Sequence, residues 1–316
     1  MVIGVIHVVG FVAIMVVMGV MAPKHGARFV FVEFSNTSGW ASDGTSWLVG
    51  LLSTIYPFLG YDAACHLAEE MPLPSRTVPL AMVGSVLVNG VMGLGFAIML
   101  LFSLGDLNDL LTSPTGFPFM QLFLNITSNK AGATVLILIV SLVAVAANAA
   151  GCTSTSRTFW AFARDSAAPY SRLFAHVDPK LHVPVPAIIA VTVFQMLLGL
   201  LYLGNSTAFN AILSMAILGM YASYILPIIY MALYGRKKLD REQFGPFSMG
   251  TVLGPVVNTL ALGWLIVAMT FSTFPSVQPV TPQNMNYAVV VMGGWLVIGT
   301  VYFFALGRKT YVGPIL

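Results

Sequence analysis

Asp62, His66 and Glu70 recur at four-residue intervals, inside or at the inner end of a stretch otherwise apolar enough to cross a bilayer. On one α-helix they would share a face and could pass a proton between a cavity and the cytoplasm. An aspartate at that depth costs roughly 2.5 to 3.5 kcal/mol on insertion scales, so a site is the expected reason to accept it. Asp62 has a structural role open to it as well. Just ahead of Ala63-Ala64-Cys65 it can serve as an N-cap, accepting a hydrogen bond from the backbone of Cys65.

The element that must position these groups is Tyr56-Pro57-Phe58-Leu59-Gly60-Tyr61-Asp62, which places a proline and a glycine in the middle of the same stretch. It reads as a broken membrane helix, stopping near Tyr56 and restarting at Ala63. Unwound backbone at membrane depth is tolerated only where protein or a water-filled cavity satisfies it. The outer half would turn its last carbonyls to the cavity and the inner half its first N–H groups, so cations favour one end and anions the other. Phe58 and Tyr61 flank the break, and an aromatic face near an ammonium or quaternary amine adds roughly 0.5 to 2 kcal/mol. Packing against neighbouring helices is the other reading of both rings. Tyr56, Phe58, Gly60, Tyr61, Asp62 and Asn148 are the candidate substrate-binding residues, and Asp62, His66 and Glu70 the candidate proton relay. Tyr221 and Tyr224 in the sixth run are further candidates for the same cavity, which helical spacing alone does not decide. His7 is the other ionisable residue within an apolar run.

Composition bounds the class. Of 316 residues 58% are hydrophobic and 8% charged, with a mean hydropathy of +0.88, which no single soluble core could bury. The expected fold is all-α and polytopic, one membrane domain over residues 1–316 with lipid as its solvent. Eight runs are long enough to cross about 30 Å of hydrocarbon: Met1 to Ala22, Ser46 to Leu67, Val78 to Leu104, Ala131 to Trp160, Val185 to Leu203, Ala208 to Tyr234, Pro255 to Thr273 and Tyr287 to Leu306. A short helix over Gly116 to Ser128, with Phe119, Leu122 and Phe123 on one face, is expected between the third and fourth.

Charge orients the runs. With the loop holding Arg157, Arg164, Arg172 and Lys180 inside, eleven basic residues face the cytoplasm, among them Arg76, Arg236-Lys237-Lys238-Arg241 and Arg308-Lys309. Lys24, Arg28 and Lys130 remain outside, and both termini are cytoplasmic. The sequons at Asn36, Asn125 and Asn205 then all face outward, with Asn36 and Asn125 the candidate glycosylation sites. The first run lacks the basic leader and cleavage site of a signal peptide. The basic residues lie in short clusters beside apolar runs, which implies topology and no nucleic-acid partner. Cys65 and Cys152 lack metal-ligand spacing and are expected as free thiols, with no metal and no cofactor. Clustered histidines and paired carboxylates are missing from the spans, which argues against a membrane enzyme. A channel is disfavoured because no filter or charge ring repeats.

Two strings carry a family resemblance. Phe58-Leu59-Gly60-Tyr61-Asp62-Ala63-Ala64-Cys65-His66-Leu67-Ala68-Glu69-Glu70, followed by Pro74-Ser75-Arg76-Thr77-Val78-Pro79, resembles the sixth-helix signature of the amino acid/polyamine/organocation transporter superfamily. Ser156-Arg157-Thr158-Phe159-Trp160-Ala161-Phe162-Ala163-Arg164-Asp165, with His176-Val177 and Leu181-His182-Val183-Pro184, is similar to the segment after the eighth helix in its fungal amino acid/choline branch, which includes GABA and choline permeases. The resemblance implies part of a five-plus-five inverted-repeat fold with one discontinuous helix, and a secondary transporter of amino acids or related amines, coupled to protons. It begins in register at the family's fifth helix. The first four helices, with the other broken helix, are therefore expected to be absent, leaving open a non-transporting partner subunit or an inert fragment. The resemblance implies an integral protein of the plasma membrane or of an internal vacuolar or secretory membrane; substrate, coupling ion and oligomeric state are not set by these residues.

Overall fold

A computed structural model describes residues 2–204, 206–239, 244–311 and 313. Met1, Asn205 and Arg241, invoked above, lie outside the described residues. The described chain is helical: α1 (Val2–Met21), α2 (Ala27–Phe31), α3 (Asp43–Ile55), α4 (Pro74–Phe102), α5 (Leu107–Leu111), α6 (Pro118–Thr127), α7 (Lys130–Arg164), α8 (Ser171–Phe174), α9 (Val185–Gly204), α10 (Ser206–Tyr230), α11 (Arg236–Lys238), α12 (Gly250–Ser272), α13 (Ala288–Tyr302) and α14 (Arg308–Thr310). Among the described residues eight helical stretches are long and apolar enough to cross a membrane. They coincide with the eight expected runs. Two begin earlier than hydropathy alone indicates, α4 at Pro74 and α12 at Gly250, so that Pro79 and Pro255 fall inside helices.

Many large apolar side chains on these stretches are exposed, Val91 at 75% and Leu203 at 80% among them. Outward apolar surface on this scale marks a protein solvated by lipid, and the chain is an integral multi-pass membrane protein.

The helices pack as two compact units, Met1–Ser35 with Gly84–Gly151, and Asn36–Val83 with Cys152–Leu316. In the first, Ile14, Met18 and Ala22 of the α1 end meet Leu122, Phe123 and Ile126 of α6, with Ala133 and Leu136 of α7. The short helix is present, but Ile126 completes its buried face and Phe119 is exposed. Lys24 closes the end of α1, donating to the Met18 carbonyl and, at 3.0 Å, to the buried Ser103 hydroxyl. His7 is exposed on α1.

In the second unit α10 packs against α9, α12 and α13, and α3 lies on α12. Ile55, Ile217, Tyr221, Leu265 and Ala268 form its core. Helix α10 relaxes into a π-wound turn at Met231–Gly235, and α13 does the same at Phe303–Gly307. Basic residues follow both turns, where they complement the negative end of the helix dipole.

The loop before α9 is held by Asp178, whose Oδ1 accepts from the N–H groups of Lys180 and Leu181, each at 2.8 Å. Those two bonds, Leu181 first, hold its carboxyl below the usual carboxylate range. A depressed pKa adds stability above the unfolded value of about 3.9, and that contribution is lost as pH falls through the folded value. Asp178→Ala should therefore speed amide hydrogen exchange at Lys180 and Leu181 near neutrality. The difference from the parent should shrink as pH falls below the ordinary carboxylate range.

Candidate functional site

The break in the second span forms where proline and glycine place it. Helix α3, capped by the Ser42 hydroxyl on the Thr45 N–H at 3.4 Å, ends at Ile55. Tyr56–Phe58 tighten into a single 3₁₀ turn around Pro57, whose nitrogen has no hydrogen to donate. Leu59 is extended and Gly60 takes a left-handed conformation, φ +88° and ψ 6°, open to glycine without a steric penalty. The chain then winds as a 3₁₀ helix through Tyr61–Glu70.

This corrects the expected restart at Ala63 in an α-helix. Winding resumes at Tyr61 with Gly60 as N-cap, so Asp62 is not the cap of the inner half. The first closing bond made within that segment is Ala63 N–H to the Gly60 carbonyl at 3.1 Å, so its leading N–H groups, those of Tyr61 and Asp62, are not used by the segment's own turns. Two donors and a carboxylate therefore meet at the interruption.

The Asp62 carboxylate meets His66 Nε2 at 3.2 Å. With three residues per turn, side chains four apart are rotated by about 120°, so the shared face expected of an α-helix is absent. Glu70 turns instead to Arg157, while Glu69 accepts from Arg164 Nη1 at 3.2 Å on both oxygens. Asp62 and His66 thus form a pair in which Glu70 takes no direct part.

Tyr61 stacks obliquely on Tyr224 of α10 at 5.5 Å between ring centres, and Tyr221 lies 6.1 Å beyond. The Tyr224 hydroxyl is buried beside the Asp62 carboxyl, at the edge of hydrogen-bonding range. A buried hydroxyl beside a carboxylate can donate to it or, with a small movement, to a ligand. Tyr221 itself is buried in the core, so Tyr224 is the member that faces the break.

Tyr56, 44% exposed, lines a cavity of about 420 Å³ with Leu52, Thr207, Ser214, Asn284 and Asn286. Its far wall is the loop between α12 and α13, braced by Asn286 Nδ2 on the Ser272 carbonyl at 2.7 Å and by Thr207 Oγ1 on the Gln283 carbonyl at 2.9 Å. Phe58 is half-buried at the turn. Five of the six expected binding residues, Tyr56 to Asp62, therefore fall on one interruption. Asn148 belongs to the other unit and is exposed on α7. The partners of the break from α10 and from the loop after α12 were not legible in the sequence, where helical spacing left Tyr221 and Tyr224 undecided, because long-range packing selects them.

Among the described residues no three histidine, cysteine or carboxylate groups gather to hold a metal. Cys65 and Cys152 are free thiols, the first 3.2 Å from the Met82 sulfur and the second 3.8 Å from the Thr192 hydroxyl. The Asn36 amide donates to the Trp40 carbonyl and Asp43, and the Asn125 amide, inside α6, donates to Asp109 at 2.6 Å. Glycan attachment at either nitrogen would have to break those bonds.

Residues 1–295 match the family described as Amino acid permease. The chain belongs to this family. This permease chain is 36% identical over 296 residues to the choline transporter of Saccharomyces cerevisiae, covering 92% of itself and 52% of that protein. It is 33% identical over 295 residues to amino-acid permease 2 of Neurospora crassa, again 92% and 52%. It is 28% identical over 288 residues to the GABA-specific permease of S. cerevisiae, 90% and 50%. The permease chain thus spans about half the length of the curated relatives it matches. The family is one of transporters and not of enzymes.

Proposed function

We propose that this permease chain carries part of the binding site of a secondary transporter for amino acids or related amines such as choline or GABA, with H⁺ as the coupling ion. The observation that carries the reading is the interruption at Gly60, where the leading N–H groups of the inner segment, the Asp62–His66 pair and the Tyr224 hydroxyl converge. A substrate ammonium or quaternary amine lies against Tyr61 and Tyr224 with Asp62 as counter-charge. A substrate carboxylate, where there is one, faces the N–H groups of Tyr61 and Asp62 at the positive end of the inner segment. The names of the relatives support this substrate class, and the charge asymmetry of the loops supports cytoplasmic termini.

Coupling follows from the pair. An Asp62–His66 contact at 3.2 Å changes net charge when either group takes up a proton, so substrate ammonium and proton act on one carboxylate. The test is uptake of radiolabelled choline, GABA and amino acids across a pH series, by this chain and by a version extended to the length of its relatives. Asp62→Asn is expected to lower uptake about tenfold or more, the order of one lost charge-assisted bond. His66→Gln is expected to flatten the pH profile while leaving surface expression unchanged. An active protein whose profile ignores both substitutions would overturn the reading.

A further inference from the structure

One partly buried guanidinium of the second unit has no counter-charge among the described residues. Arg236, just past the π-wound turn of α10, folds onto the first turns of α12 and donates from Nη1 to the Gly250 carbonyl at 3.1 Å. Its Nε–H is buried and has no hydrogen-bond partner. Among the described residues no carboxylate pairs with it. The fit depends on Gly254, where a Cβ would stand 2.3 Å from Nη2 and 2.7 Å from Cζ. A glycine has let a charge into a recess that any other residue would fill.

That recess is a cavity of about 350 Å³ lined by Arg236 with Ser75, Ser248, Asn258, Phe244 and Phe247. Arg236 is the only charged residue among its described lining. A guanidinium keeps its proton, and burying it is costly unless an anion and hydrogen bonds answer it. Its planar fork matches the oxygens of a phosphate, and Ser75, Ser248 and Asn258 offer neutral polar groups to the rest. Lys237 and Lys238 follow directly in sequence and add positive field. Phe247 and Met249, about half exposed, supply an apolar border. The loop charges place this end on the cytoplasmic side, where anionic lipid headgroups concentrate.

We propose that this cavity is an anion site that takes a phosphate group on Arg236, borne by a lipid headgroup or by a small phosphate ester. It is independent of the break at Gly60, and uptake is not needed to test it. Asp240 and Glu242, outside the described residues, are the nearest carboxylates in sequence and the natural competitors.

The purified chain in neutral detergent is titrated with dioctanoyl phosphatidylglycerol, dioctanoyl phosphatidylcholine and inorganic phosphate while thermal unfolding is followed. A saturable rise in Tm with the anionic lipid and none with the zwitterionic one is expected. Arg236→Gln should move the midpoint of that response at least about tenfold higher. Gly254→Val, which expels the guanidinium from the opposite wall, should do the same and serves if the first variant fails to fold. Lys309→Gln, at a different turn, should leave the response unchanged. A response to inorganic phosphate as well assigns the site to the phosphate group itself; a response to lipid alone assigns it to a headgroup. Equal responses in the parent and both recess variants, or a response only in Asp240→Asn/Glu242→Gln, would overturn the proposal, the latter because the chain would already neutralise its own arginine.

Discussion

Valine in place of Gly60 is expected to abolish solute binding at the break while leaving the other spans folded. No atom lies within 4 Å of a Cβ built at Gly60, so a collision is not the reason. The reason is φ at +88°, where an L-residue is strained by about 1–2 kcal/mol and a β-branched one by more. The chain escapes that strain by leaving the left-handed conformation, and Tyr61 and Asp62 then swing away from Tyr224. Alanine should be intermediate and asparagine mildest, since asparagine tolerates the left-handed region best among the three. Binding of labelled choline or GABA, normalised to protein at the membrane, should follow glycine, asparagine, alanine, valine, with about a tenfold loss or more by valine. Equal binding by the valine variant would show that the interruption has no part in recognition.

The same glycine shows how much could be read before any coordinates. Proline and glycine three residues apart within an apolar run announce an interruption, because one lacks a donor and the other tolerates positive φ. Each span was legible because hydrocarbon demands a long apolar run and charges mark its ends. The winding beyond the break was not. Ala63-Ala64 and Leu67-Ala68 are good α-formers, yet the segment is 3₁₀ from Tyr61 to Glu70. Local propensity is a weak prior there, and contacts with Arg157, Arg164 and Tyr224 outweigh it. Those partners lie about 90 to 160 residues along the chain, beyond any periodicity argument. The early start of α12 was not legible for a local reason: Pro255 reads as the first residue of an apolar run, whereas the helix begins at Gly250 and tolerates that proline inside it.

Charge reversal at the inner end of the 3₁₀ segment carries the other large expected effect. Glu70 pairs with Arg157 and Glu69 with Arg164, while Arg164 lies 4.9 Å and Arg157 6.0 Å from the ring of Trp160 between them. Trp160 is itself held by its Nε1–H on the Ala175 carbonyl at 3.0 Å. The arginine side chains are 17% and 33% exposed, whereas Glu70 and Glu69 are 51% and 68% exposed. Solvent therefore screens the acidic side, and the coupling of Glu70 to Arg157 should be about 1–2 kcal/mol rather than the larger value of a fully buried pair. Glu70→Arg and Arg157→Glu should each lower the melting temperature in detergent, and the two together should recover most of the loss. Trp160→Ala should weaken both pairs by removing their common platform. The consequence reaches the other end of the segment because one rigid 3₁₀ helix carries Asp62 and His66 at its start and Glu69 and Glu70 at its end. Loosening the acidic end frees the break to rewind, so the single reversals should also weaken amine binding and the double reversal restore it. If a double-mutant cycle gave no coupling, the inner pairs would be surface charges that merely meet, and the segment would owe its position to packing alone.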